Sequence, residues 1–591
     1  MILDFNFISE EPDCGVLIYD RKTDELLKKM PFTEEERIGH LYHKSVSDLK
    51  ADEISYLYYK GESILPDEKA KGYLLQQEFG TKVKLSSRKA VFRKDHFNWS
   101  DDKRPQIPFQ KAVLYTMHVR GFTAHGTSGV KHPGTFMGIA EKVNYLKEIG
   151  VTTLVLQPCY EFIEFEENEE KKPGQALKQE QERVNYWGYT KGFYYAPKAN
   201  YAADEDASKE FKTMVKKLHH NGIEVVMQFY FPEEVNRGDI TDILRFWLLE
   251  YHVDGFQLIG SNLPVDMIGK DALLADSKLL FEHFDAPKKN AFPHLAECND
   301  TYLFDMRKFL KGDDNMMLSV LQHFKHISPK CDAVHFLTNY NGFTLCDLVS
   351  YDQKHNEENG EENRDGCVYN ASWNCGEEGP TKSRKIVKLR QQQIRNAISF
   401  LLLTPNAPMI FMGDEFGNSQ FGNNNPYCQD NEITWLDWSI AKKGNKILEF
   451  WKQMIGFRKD HPVLTPATEY TGMDTRSVGY PDISFHGESA WKAQTEGHIR
   501  HAGIMYCGLY ADKADAKDDF LYLALNMHWE KHTLALPKLP KGMHWEMEIS
   551  TEGTEVPIED MTIDCPPRTV LVYRGKADQT VTKAKKGKGN E

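Results

Sequence analysis

Short apolar runs open the chain. GVLIYD, ISYLYY and KGYLLQ, separated by polar and turn-rich stretches, have the lengths of strands rather than helices and predict a small β-sandwich over residues 1–105. Beyond that the texture changes. AVLYTMHV reads as a buried strand, GIAEKVNYLKEIG as an amphipathic helix ending on Gly150, and VTTLVLQP as the next strand. DASKEFKTMVKKLHHNG predicts a helix ending at Gly222, followed by the strand IEVVMQFYF. ITDILRFWLLEYH then leads to DGFQLI, and SKLLFEH and AVHFLT follow. RKIVKLRQQQIRNAISFLLL predicts a long helix before APMIFMG. Alternation of helix with wholly apolar strand implies parallel strands joined by crossover helices. Sustained over residues 106–464, it predicts a (β/α)₈ TIM barrel rather than an open sheet. After 465 the apolar runs shorten again (DISFHG, HAGIMYCGLY, DFLYLALNMH, PRTVLVYRG) and predict a C-terminal antiparallel β-domain to residue 575. The fold class is therefore α/β, a barrel flanked by two β-domains. Residues 576–591, almost without apolar side chains, are expected to be disordered, and the charged segment 161–184 reads as a surface insertion.

A chain of 591 residues has room for two or three domains and a large core. Its net charge of −14 argues against nucleic acid and against an anionic membrane surface, both of which attract basic proteins. A neutral polymer remains compatible with that charge. The start, MILDFNFISEEPD, carries no basic residue followed by an apolar run, so no signal peptide is expected. No apolar stretch approaches the ~18 residues that span a bilayer. Ten cysteines lie scattered without a CxxC pair or a Cys/His cluster. Neither a zinc site nor a disulfide framework is expected, and reduced thiols in a cytoplasmic protein are the simpler reading.

Longer motifs narrow the picture. VLYTMHVRGFTAHGTSGVKHPGTFMGIAEKVNYLKEIGVTTLVLQPCYEF and NYWGYTKGFYYAPKANYA (185–202) resemble the first barrel units of debranching enzymes. FTLCDLVSYDQKHNEENGEENRDGCVYNASWNCGEEG (343–379) and APMIFMGDEFGNSQFGNNNPYCQDNEITWLDW (407–438) resemble isoamylase and glycogen-debranching signatures over dozens of consecutive residues. The chain is thus similar to glycoside hydrolase family 13, isoamylase type, from about residue 110 to 575; the N-terminal part matches in position only.

Retaining hydrolysis of a glucosidic bond needs two carboxyl groups roughly 5–5.5 Å apart across the sugar, set at the carboxyl ends of barrel strands. The resemblance implies where these should be, and most are replaced. Where the family's third strand has an aspartate and then Asn-His, this chain has Gln228, Pro232 and Glu233. Against the fourth-strand GFRFD stands GFQLI, with Gln257 at the arginine and Ile259 at the nucleophile. LLFEHFD keeps the acid/base position of LIAEPWD as Glu282. TNYNGFTL puts Tyr340 and Asn341 where the family has His-Asp. Asp254, five residues from Ile259 and so on the opposite strand face, is expected to be structural. Glu297, in a stretch matching a later family motif, is assigned no catalysis. Tyr186, with Trp187 beside it, is expected to stack on sugar.

Isoleucine cannot attack an anomeric carbon, and loss of a nucleophile costs other enzymes about 10⁴–10⁶ in rate. The expected function is that of a catalytically silent debranching-enzyme relative, without cofactor or metal. It would bind α-glucan (glycogen, amylopectin, maltooligosaccharides) or act as the non-catalytic subunit beside an active isoamylase. Two alternatives stand beside it: an active α-1,6-glucosidase with a rebuilt site using Glu282, and an assembly protein without glucan binding.

Overall fold

The computed structural model describes residues 2–74, 78–82, 87–93, 96–165, 183–283, 293–325, 332–511 and 520–578. Most of the 161–184 insertion and all but three residues of the 576–591 tail lie outside the described residues.

Eight parallel strands close into a barrel. They are β1 (Leu114–Met117), β2 (Thr153–Leu156), β3 (Glu224–Tyr230), β4 (Gly255–Ile259), β5 (Lys278–Phe281), β6 (Leu295–Cys298), β7 (Asp332–His335) and β8 (Ala407–Phe411). All but β6 coincide with apolar runs that predict strands. Each strand is apolar on both faces because helices cover it outside and side chains fill the lumen. Leu114, Val155, Val226, Leu280, Ala296, Cys298, Val334 and Met409 form that inner cluster.

The crossover helices follow their sequence signals closely. Ala207–His220 starts where the Asp206 carboxylate accepts from Lys209 N (3.1 Å) and is followed by Gly222 at φ +74°. Arg384–Leu403 spans the long predicted helix. One expectation needs correction. GIAEKVNYLKEIG is not one helix but two, Phe136–Glu141 and Val143–Glu148. The break falls at Lys142 (ψ 6°), whose ammonium sits 3.6 Å over the Trp438 ring.

The flanking regions are antiparallel. On the N-terminal side a three-stranded sheet (Leu3–Ile8, Leu41–Val46, Arg37–Ile38) accompanies a four-stranded one (Leu26–Pro31, Cys14–Asp20, Ile54–Lys60, Ser63–Leu65). KGYLLQ is not a strand among the described residues. Tyr73 makes only isolated bridging contact with Ala90 and is buried as an anchor. On the C-terminal side a five-stranded sheet ends with Thr569–Ala577, two residues past the predicted boundary at 575. Lys576 pairs there with His544, so the strand continues past that boundary.

A candidate carbohydrate site with replaced strand ends

Strand parity sets which side chains meet at the barrel mouth. In β3 and β4, Gln228 pairs in register with Gln257, and Tyr230 with Ile259. Both glutamines are buried in the lumen, and Ile259, two residues beyond Gln257, points the same way and is half-buried. Glu282 follows Phe281, the partner of Leu258, and shares the inward parity of Leu280. Asp254 has the opposite parity. It lies buried on the outer face, accepting from Arg104 Nε (3.1 Å), Val225 N (2.8 Å) and His219 Nε2 (2.8 Å). That arrangement ties strands to outer helices and leaves nothing for substrate.

The lumen end carries a neutral polar chain in place of charges. Tyr189 Oη donates to Gln228 Oε1, Gln228 Nε2 donates to Gln257 Oε1 at 2.8 Å, and Gln257 Nε2 reaches Cys298 Sγ at 3.7 Å. Tyr340 is buried above it. Its ring stacks on Tyr189 (centroids 4.7 Å) and meets the edge of Trp187 (5.1 Å). Asn341 is exposed on the following turn, and Glu233 is exposed beyond the end of β3.

Tyr186 differs from its expectation. It is 1% exposed, with His118 stacked on its ring at 3.9 Å and the Phe79 edge at 6.2 Å, so it offers no free face to a sugar. A Cβ on Gly121 would fall 2.5 Å from Tyr186 Oη, and the absence of one lets the ring seat so deeply. His118 itself is held neutral, its pKa pushed down to about 3 by burial. Trp187 remains partly exposed.

Glu282 is exposed at the rim, yet its carboxyl is raised above the usual range by partial desolvation and then by the Asp300 charge. The two line one cavity of about 190 Å³ with Gln257, Asn341 and Arg307. Sequence reasoning missed Asp300 and Arg307. Both lie on the helix Asp300–Lys311 behind β6, inside the stretch read as a non-catalytic family motif. Glu297 Oε1 accepts from His283 Nδ1 at 2.9 Å, and Glu297 is not among the residues lining that cavity. A larger cavity, about 600 Å³, lies against the N-terminal sheets at Phe7, Tyr58 and Phe193 and contains none of the strand-end residues. Among the described residues no group of three His, Cys, Asp or Glu could hold a metal ion, and no helix is long and apolar enough to cross a membrane.

The two signature segments meet across the mouth as the loops after β7 and β8. Asn356 Nδ2 donates to Asn424 Oδ1 (2.9 Å) while Asn424 N donates back to Asn356 Oδ1 (2.9 Å). Asp365 Oδ2 accepts from Asn359 (2.8 Å) and Asn425 (2.9 Å), and Gln429 Nε2 donates to Asn359 Oδ1 (3.0 Å).

A closed eightfold parallel barrel with antiparallel sheets at both ends is the architecture on which the comparisons with known proteins bear. Comparison with known proteins agrees. The family model described as "Alpha amylase, catalytic domain" matches residues 93–232. Rice "Isoamylase 1, chloroplastic" is 30% identical over 81% of this chain and 68% of its own. The "Glycogen operon protein GlgX homolog" of Mycobacterium tuberculosis H37Rv is 30% identical over 81% of this chain and 78% of its own. Among solved structures, a Paenibacillus barengoltzii pullulanase in complex with maltohexaose and alpha-cyclodextrin superposes with a TM-score of 0.71 at 17% identity, covering 97% of this chain and 93% of that one. The chain belongs to glycoside hydrolase family 13, in its isoamylase/glycogen-debranching group.

Proposed function

We propose that this chain is a catalytically silent member of the debranching group that binds α-glucan, by itself or as the non-catalytic subunit beside an active isoamylase. The observation that carries the reading is the inward end of β4. Ile259 occupies the position at which the resemblance implies a nucleophilic aspartate, and the neighbouring Gln228–Gln257 amide pair is uncharged. A site that stabilises a cationic sugar transition state does so with placed negative charge. Here amides and a branched alkyl group stand instead, and Tyr340 packed on Tyr189 fills space above them. The names of the relatives, isoamylase and glycogen operon protein, support α-glucan as the ligand class.

The second reading, a rebuilt hydrolase, is favoured by the raised Glu282 carboxyl, which suits a proton donor. Reducing-sugar release from amylopectin, glycogen and pullulan separates the two. The silent reading expects none; turnover abolished by Glu282→Gln would overturn it. Retardation in a glucan-containing native gel tests binding, and unretarded migration would favour a purely assembling protein.

A further inference from the structure

We infer that a basic cavity on the outer side of the barrel binds a small phosphate monoester, about the size of a sugar phosphate. It lies where Lys71, Arg93 and Phe97, from the chain leading into the barrel, meet the helices Ala207–His220 and Arg237–Tyr251. None of its lining residues lines the strand-end cavity, so the inference is independent of what the mouth binds and of catalytic silence.

Charge singles this cavity out. The chain as a whole carries −14, yet Lys71, Arg93 and Lys209 converge here. Lys71 and Lys209 are exposed and make no ion pair among the described residues. Lys212 and Glu250, also in the lining, pair with each other, which leaves Asp206 as the one carboxylate facing the other three cations. Arg93 is the most telling of these. Its side chain is 13% exposed; Nη2 donates to Tyr73 O (3.2 Å), Nε has no acceptor, and Nη1 stands 3.9 Å from Asp206 Oδ1, beyond hydrogen-bond reach. Gly72 lets the side chain take that path, since a Cβ there would fall 2.6 Å from Nε. Burial works against the guanidinium charge, and Asp206 offsets this only in part. A cation so placed is costly unless an anion completes it. Three cations against one carboxylate leave an excess of two positive charges among the described residues. A phosphate monoester, at about −1.5 to −2 near neutral pH, neutralises that excess; a carboxylate would leave one charge unanswered. An extended polyanion would bring most of its charge against an acidic chain.

The rest of the lining calls for an organic body on the phosphate. Phe97 and Phe246 are half-buried there, and Lys71 Nζ stands 5.5 Å from the centre of the Phe246 ring. Flat apolar faces suit the C–H side of a sugar ring. Ser208 Oγ, 3.1 Å from Tyr251 Oη in the first turn of its helix, is placed to bond a ring hydroxyl. At about 160 Å³ the cavity falls below the roughly 300–1,000 Å³ of drug-sized sites and suits a phosphate with one ring rather than a nucleotide.

Calorimetric titration of the full chain with ribose 5-phosphate, inorganic phosphate, ribose and AMP tests this. Ribose 5-phosphate should bind about tenfold tighter than inorganic phosphate, AMP should bind more weakly than ribose 5-phosphate, and ribose should give no heat. Lys71→Ala and Lys209→Ala remove exposed charges without an ion pair, so each should leave the melting temperature of the free protein unchanged. Each should weaken ribose 5-phosphate by about tenfold, and the double variant by about a hundredfold. Inorganic phosphate binding as tightly as ribose 5-phosphate would make this a simple anion site and overturn the assignment. Tighter binding of AMP would overturn it too, as would unchanged affinity in the double variant. No heat with ribose 5-phosphate overturns the pocket outright. The strand-end reading is decided separately, by reducing-sugar release and gel retardation, and survives or falls without reference to these titrations.

Discussion

Two regions share the carboxyl-terminal mouth of the barrel and treat their polar groups in opposite ways. Across the loops after β7 and β8, Asn356, Asn359, Asn424 and Asp365 are buried or half-buried and bonded to one another, each amide answered by a second. At the strand ends a short amide chain runs from Tyr189 through Gln257 to a thiol, with apolar Ile259 beside it. A dense network is expensive to disturb, and a short polar chain can be exchanged for other groups of similar volume. That contrast marks the strand ends, rather than the loops, as the place where side chains can be exchanged within this scaffold.

The largest effect should come from breaking the loop network. Asn424 is fully buried, donates to Cys367 O (2.8 Å) and Asn370 Oδ1 (2.9 Å), and accepts from Asn356. Asn424→Leu removes all three bonds and leaves Asn370 Oδ1 unanswered, while Cys367 O keeps Asn370 Nδ2 and Asn356 Nδ2 keeps Asp365 O, and should cost about 3–5 kcal/mol. Tyr189→Phe at the strand ends removes one bond from Gln228, which keeps Gln257, and should cost about 1 kcal/mol. Denaturant midpoints measure both. Equal losses would erase the distinction between the regions.

A smaller effect concerns pH. Beside the network, burial pushes Asp414 up to about 8 and Glu415 up to about 7, against ordinary values of 3.8 and 4.5. Asp414 accepts from Leu345 N (2.7 Å) and is bonded to the Thr338 hydroxyl; Glu415 accepts from Tyr145 Oη (2.6 Å) and Tyr115 Oη (3.0 Å). The folded protein therefore holds protons that the unfolded chain has already released. Stability is greatest below the unfolded values and is lost as pH rises toward 8. Asp414→Asn cannot ionise, so its stability should fall by at least about 1 kcal/mol less than that of the wild type between pH 5 and pH 8. Parallel curves for the two proteins would show that Asp414 is ionised throughout.

Much of this was legible in the sequence, unevenly. The barrel strands announced themselves because they lie in apolar runs; LAEC did not, because Glu297 interrupts it and polar residues follow. The face of Asp254 followed from parity alone. The replaced positions were legible only through the resemblance, which gives each strand end an expected residue. Burial of Tyr186 was not legible, since it depends on His118 and Phe79 arriving from distant segments. Arg307 left no signal either. A single arginine on an amphipathic helix looks like a surface charge until Leu337 and Asn370 close over it.

Restoring charge at the strand ends, where two opposite charges offset each other, is the sharpest test of the contrast. Gln228 and Gln257 are in register and already bonded at 2.8 Å, so an aspartate and an arginine placed there face each other directly. Gln257→Arg alone puts an unpaired cation into the lumen, and Gln228→Asp alone an unpaired anion; each should cost several kcal/mol. Made together they form a buried pair, and the double variant should lie within about 2 kcal/mol of the wild type, a coupling of at least about 4 kcal/mol by double-mutant cycle. Ile259→Asp, Tyr340→His and Asn341→Asp added to that pair would supply the nucleophile and hydroxyl ligands that the resemblance implies, and Tyr340→His also lifts the ring now stacked on Tyr189. Because members of a catalytic unit act together, each single restoration should give no turnover, and the fivefold variant should give weak release of reducing ends through Glu282. Melting temperature and reducing-sugar assays across the series read both quantities. A fivefold protein that folds, keeps the pair coupling and yet stays silent would mean that the divergence reaches the loops, and the mouth would then be altered in both regions rather than one.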